Sequence, residues 1–194
     1  MRASGGCGFI RNVLKICALF WFAATICIAG EDLVLNDLEG MSRRPLEPGE
    51  KLGSVLVFYS HDCPISKSYV PEINRLLAQY TNFAFYVVEV GSDATSEMAK
   101  KHAREYDLRA MMVLDPKHQL VNAVGGEVTP EAVVVGRSGQ LLYRGRIDNW
   151  YAALGKKRAR ATRQDLREAL DSVARGKPVR EKETKAIGCV IETH

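Results

Sequence analysis

The chain has 194 residues, 46% hydrophobic and 26% charged. That balance excludes a disordered chain, which lacks apolar residues to bury, and a chain embedded throughout in a membrane. The length provides for one domain with a full core. The formal net charge of +4 owes much to the N-terminus, where Arg2, Arg11 and Lys15 are the only charges before Glu31.

Residues 16–30 read ICALFWFAATICIAG, without a charge. A basic start, an apolar stretch of about 15 residues and small residues at its end form the pattern of a secretory leader. Cys27 and Ala29 stand at −3 and −1 of a cut before Gly30. The run is shorter than the roughly 20 residues a spanning helix needs, so an uncleaved anchor is the second reading. The expected organisation is a leader over 1–29, a domain over 30–176 and a tail over 177–194, with the domain exported to a periplasmic or extracellular space. Without the leader the charge falls from +4 to +1, because Arg2, Arg11 and Lys15 leave, and the cysteines fall from five to Cys63 and Cys189. No nucleic-acid partner is expected, and membrane contact only through an uncleaved leader.

Residues 31–54 predict an irregular lead-in with a short strand near Leu33–Leu38. Ser54–Tyr59 is a β-branched apolar run, a strand buried on both faces, and it leads into Ser60-His61-Asp62-Cys63-Pro64. From Ser66 to Tyr80, the positions of Tyr69, Ile73, Leu76, Leu77 and Tyr80 have helical spacing. Phe83–Val90 is a second strand, Thr95–Tyr106 a helix and Ala110–Leu114 a third strand. After a short helical stretch and Gly125-Gly126, Thr129-Pro130 precedes Ala132–Gly136 and Leu141–Ile147, a hairpin about Arg137–Gln140. Residues 148–161 read as a basic loop whose Lys156, Lys157, Arg158 and Arg160 are solvated. Thr162 and Asp165 suggest a capping box for a helix that ends at Gly176. The tail is charged except for Ile187-Gly188-Cys189-Val190-Ile191, a cluster a solvated tail has no use for. Alternating helices and strands imply an α/β fold, a mostly parallel sheet covered on both faces, with the hairpin adding antiparallel strands and a helix after it.

Strand, Cys63, Pro64 and helix together place the thiol at a helix N-terminus. Unpaired N–H groups and the positive end of the dipole favour thiolate there, and the thiolate is the nucleophile. Pro64 suits the first turn because its missing N–H is not needed. The alternative is a cysteine that only fills core space. His61 offers a base, a proton donor or a metal ligand, or is an exposed loop residue; Asp62 reads as loop solvation. Arg144 and Arg146, two apart on one strand, would share a face.

SHDCPIS, Thr129-Pro130 ahead of an apolar strand, and LLYRGRID resemble the thioredoxin-like superfamily, in particular its redoxin branch with the peroxiredoxin-like (AhpC/TSA-type) proteins. The likeness covers about residues 33–176 and is greatest to bacterial redoxin-domain proteins ending in Thr-x-x-x-Gly-Cys, here Thr184 to Cys189 with one extra residue. The resemblance implies a thioredoxin-like fold in which Pro130 is cis and faces the active cysteine. It also implies a catalytic set of Cys63, Cys189, Ser60, Ser66 and Pro130, with His61, Thr129 and Arg146 binding beside it, and no cofactor or metal. Thioredoxins carry Cys-x-x-Cys, and Ser66 stands at the fourth position here. Peroxiredoxins carry Pro-x-x-x-Thr/Ser-x-x-Cys, and this chain has Leu56, Ser60 and Cys63.

The expected function is a thiol oxidoreductase, of disulfide-exchange or peroxide-reducing type, acting on protein disulfides or small peroxides with an external reductant. Cys63 attacks and Cys189 resolves. Two alternatives stand beside it: a copper-binding module using Cys63 and Cys189 with His61 or His194, and an interaction domain stapled by a permanent Cys63–Cys189 bond.

Overall fold

The protein is described by a computed structural model over residues 33–192; the expected leader over 1–29 and His194 lie outside the described residues. In chain order the elements are a small hairpin of β1 (Leu35–Asn36) and β2 (Ser42–Arg43), then β3 (Gly53–Tyr59), α1 (Pro64–Gln79), β4 (Ala84–Glu89), α2 (Ser96–Glu105), β5 (Met111–Leu114) and α3 (Gln119–Val124). They continue with β6 (Val128–Thr129), β7 (Glu131–Gly136), β8 (Leu141–Gly145), β9 (Tyr151–Ala153), β10 (Lys156–Lys157), α4 (Asp165–Ala174) and β11 (Cys189–Val190).

The central sheet has the order β5-β4-β3-β7-β8. β3, β4 and β5 are parallel, β7 is antiparallel to β3, and β8 is antiparallel to β7, so β7 alone runs against the other four. This is the mixed, mostly parallel sheet that the alternation of elements implies, in the thioredoxin-like form that the resemblance implies. Because side chains alternate along a strand, each central strand supplies both layers of the core. Val55, Val57 and Tyr59 of β3 meet Ile65, Tyr69, Ile73 and Leu76 of α1 and Leu166 and Leu170 of α4. Leu56 and Phe58 meet Leu120, Val121 and Val124 of α3, together with Leu35 and, from the tail, Ile191. All seven residues of β3 are buried, which is why its sequence shows a continuous apolar run.

Three expectations need correction. Residues 148–161 are not all loop: β9 and β10 pair as an antiparallel hairpin, and Lys157 Nζ lies 4.5 Å from the Trp150 ring centre. Thr162 and Asp165 form no capping box. Gln164 is the N-cap of α4 and makes no side-chain cap bond, while Thr162 Oγ1 accepts from Asn149 Nδ2 at 2.8 Å. Arg144 and Arg146 do not share a face, because β8 ends at Gly145, where the Thr184 carbonyl packs so closely that a Cβ would collide with it.

Candidate active site

Cys63 is the N-cap residue of α1, and Pro64 opens the helix. The turn that delivers it is closed by Cys63 N–H donating to the Ser60 carbonyl at 3.1 Å, and the helix continues as Lys67 N–H donates to the Cys63 carbonyl at 3.2 Å. The residue is 2% exposed. Its sulfur is bonded to Cys189, with 6.1 Å between the Cα atoms and 126 residues between the two along the chain, a spacing within the usual disulfide range.

Cys189 is held there by backbone. β11 pairs antiparallel with β6, setting Cys189 opposite Thr129 and Val190 opposite Val128. Ile191 N–H donates to the Glu127 carbonyl at 2.9 Å. Thr129 leads directly into Pro130 through a cis peptide bond, and the Thr129 carbonyl oxygen lies 3.1 Å from Cys63 Sγ. Gly188 lies so close that a Cβ would meet the Thr129 carbonyl and Pro130 N, so only glycine lets the tail reach the edge. Thr184 roots the tail. Its Oγ1 accepts from Arg146 N–H at 3.1 Å and lies 2.7 Å from the Tyr143 hydroxyl, while its own N–H donates to the Arg144 carbonyl at 3.0 Å.

Behind the Cys63 turn sits a carboxylate that the sequence reading passed over. Glu89, the last residue of β4, is fully buried. It accepts from His61 N–H at 3.1 Å and from Gly91 N–H at 3.1 Å, and its Oε1 lies 3.1 Å from His61 Nδ1. Burial pushes its pKa up, opposed by the bond to His61. His61 is therefore no exposed loop residue: its side chain is 13% exposed. Asp62 is largely exposed, as expected. Nearby, the Tyr59 hydroxyl lies 2.7 Å from His102 Nε2; burial raises the phenol's pKa and lowers the imidazole's, so the phenol donates to a neutral ring. Ser66, in the first turn of α1, is buried, and its hydroxyl has no partner among the described residues. Ser60 Oγ accepts from Asp62 N–H at 3.3 Å.

The two arginines are engaged elsewhere. Arg144 reaches the Gly125 carbonyl and Glu183, and Arg146 grips buried Asp165 through Nε at 2.7 Å and a second nitrogen at 3.1 Å. Arg146 also lines a small cavity with Tyr69, Pro130, Asp148, Tyr151 and Ile187. Of the copper ligands weighed above, both sulfurs are in the disulfide. Among the described residues, His61, Asp62 and Asp93 bring one ligand atom each within 4.8 Å of one another, the group that a cation would find.

The AhpC/TSA family model matches residues 31–144, from the lead-in through β8. The chain belongs to the AhpC/TSA family. A thiol-disulfide oxidoreductase, ResA, of Bacillus thuringiensis is 22% identical over 111 residues, which are 57% of this chain and 64% of that relative, so the match spans less than two thirds of the relative's length. An uncharacterized conserved protein from Geobacillus kaustophilus superposes with a TM-score of 0.69 at 22% identity, covering 84% of this chain and 90% of the other. A hypothetical protein from Sinorhizobium meliloti gives 0.67 at 24% identity, covering 83% and 90%. The AhpC/TSA match holds Cys63, His61, Glu89 and Pro130 but stops at Arg144. The disulfide thus ties the AhpC/TSA domain to a segment beyond that match, in which Thr184, Gly188 and Cys189 each have a geometric task.

Proposed function

We propose that the chain is an exported thiol-disulfide oxidoreductase in which Cys63 attacks and Cys189 resolves. The carrying observation is the bond between Cys63, at the N-terminus of α1, and Cys189, on a strand paired beside Pro130. The Cys63 thiolate attacks one sulfur of a substrate disulfide and expels the other as thiolate, which takes a proton from water. Cys189 thiolate then attacks Cys63 Sγ, and the second substrate thiolate leaves. The substrate gains two electrons and two protons, and an external dithiol restores the Cys63–Cys189 pair.

The neighbours support this chemistry. With the disulfide open, Cys63 sulfur is an N-cap acceptor for the free N–H groups of the first turn, and Ser66 places a buried hydroxyl in that same turn. The Thr129 carbonyl and Pro130 form the wall against which a substrate sulfur is presented. His61 is held beside the Cys63 turn by Glu89, and Ser60 shapes the turn. Arg146 acts at one remove, by holding Asp165 and the strand end beside Thr184.

Disulfide exchange is favoured over peroxide reduction because both guanidinium groups are bound to other partners and Leu56 replaces the peroxiredoxin proline. ResA, a thiol-disulfide oxidoreductase by name, accords with the same choice. Residues 1–29 serve as the leader, and the domain and tail work outside the cytoplasm on protein thiols and disulfides. The test is to mix reduced protein with oxidised glutathione. Release of two thiols per protein, with a reductant-sensitive 63–189 linked peptide in the mass spectrum, is expected. A reduced protein that releases no thiol from oxidised glutathione overturns the proposal.

A further inference from the structure

We infer that the edge of β6 is a substrate seat that reads an extended polypeptide of the pattern apolar-Gly-Cys-x-apolar, and that the tail is its intramolecular occupant. This inference rests on the exchange reading above and adds the substrate class to it.

The tail defines what the seat accepts. β6 is outside the central sheet, and its partner strand is the two-residue β11. Main-chain pairing is indifferent to side chains, so any extended segment can supply it. Side-chain selection comes from three of the four positions around the cysteine. Ile187 fills one wall of the small cavity beside Pro130, Tyr69 and Tyr151. Gly188 has no room for a Cβ, because the obstacle is the Thr129 backbone and not a flexible side chain. Val190 is 76% exposed and selects nothing, whereas Ile191 is 8% exposed, packed in the layer with Phe58 and Leu120. A partner segment that places its cysteine at Cys63 must thread the same positions, so glycine before the cysteine is the strictest requirement.

The edge takes one strand at a time. In the mixed disulfide the substrate strand lies on β6 and the tail is off it, still rooted at Thr184 through Tyr143, Arg144 and Arg146. That root keeps Cys189 at high effective concentration. As residues 187–191 return to β6, they displace the substrate strand, and Cys189 thiolate attacks Cys63 Sγ while the Cys63–substrate bond breaks. The substrate leaves as thiolate and takes a proton from water. Resolution and product release are therefore one event.

The full chain carrying Cys189→Ser, reduced, is mixed in separate experiments with three disulfides: oxidised glutathione, and the glutathione mixed disulfides of peptides KAIGCVIE and KAIACVIE. Formation of the Cys63–peptide adduct is followed by mass spectrometry. The glycine peptide is captured about tenfold faster than the alanine peptide, the factor that about 1.4 kcal/mol supplies. Adding Gly188→Ala to the same protein accelerates capture of the glycine peptide, because the tail then yields the edge. If the alanine peptide is captured as fast, or Gly188→Ala leaves capture unchanged, the seat is overturned while exchange stands. If Cys63 reacts with none of the three disulfides, the exchange reading fails, and the seat with it.

Discussion

Opening the Cys63–Cys189 bond should lower the stability of the fold by a few kcal/mol without undoing it. The bond spans 126 residues, and the chain-entropy relation for a loop of that size gives about 5 kcal/mol at 25 °C as the upper value. Residual structure in the unfolded chain and native-state strain bring the expected loss to about 2–4 kcal/mol. The reduced native state keeps its shape because the tail is also held by backbone bonds: Arg144 N–H to the Lys182 carbonyl at 2.9 Å, Thr184 N–H to the Arg144 carbonyl at 3.0 Å and Ile191 N–H to the Glu127 carbonyl at 2.9 Å. The assay is urea unfolding of oxidised protein, reduced protein and Cys189→Ser, followed by the fluorescence of Trp150, the one tryptophan among the described residues. With a urea slope of about 2 kcal/mol per molar, the oxidised midpoint lies about 1–2 M above the other two. Coincident midpoints, or a more stable Cys189→Ser, would refute the assignment of a loop-closing bond to the folded protein.

In the reduced protein, Cys63 should alkylate with a pH midpoint below the free-thiol value of about 8.5 and faster than Cys189 at neutral pH, read by mass spectrometry of the modified peptides. Glu89, whose pKa burial raises, binds its proton more tightly folded than unfolded. Its contribution is therefore fully present below the unfolded value and is lost as pH rises through the folded one, so Glu89→Gln should flatten the fall in urea midpoint over the range above about pH 4.3. Arg146→Met leaves Asp165 buried without its fork and should cost about 2 kcal/mol, less than a fully buried pair because the guanidinium is partly exposed, with Cys63 alkylation unchanged after correction for unfolded protein. N-terminal sequencing of exported material should begin near Gly30, and a retained Met1 would favour the anchor.

The order of strands and helices is legible in the sequence because burial leaves its mark on composition. Ser54–Tyr59 is apolar at nearly every position because both faces are covered, and Ile73 and Leu76 keep helical spacing because one face of α1 meets the sheet. Cys63 is legible for a different reason: proline immediately after it marks a helix start, and the apolar strand before it fixes which end of the sheet it occupies. Glu89 is hidden by its surroundings. One acid in FAFYVVEV breaks no period, and its partners, His61 and Gly91, are named only by the fold. The sole available signal is a carboxylate within a strand otherwise buried. The β9–β10 hairpin escapes because strands of three and two residues show no alternation, and Lys157 against Trp150 and Tyr151 is a contact across its turn. Thr162 and Asp165 have the spacing of a cap, yet Asn149 takes the threonine and Arg146 the aspartate, so tertiary partners outbid a local motif.

The long separation between the two cysteines also has a temporal side. During synthesis Cys63 leaves the ribosome 126 residues ahead of its partner. At about 5–20 residues per second that is an interval of about 6–25 s. Every strand of the central sheet is already out by Gly145, so a nascent chain can present a lone nucleophilic thiol long before Cys189 is made. Neighbouring chains on one message then offer each other their first cysteines, and where dissolved oxygen takes up the two electrons and two protons, crowded expression should yield dimers cross-linked through Cys63, which slower initiation or a thiol buffer would prevent.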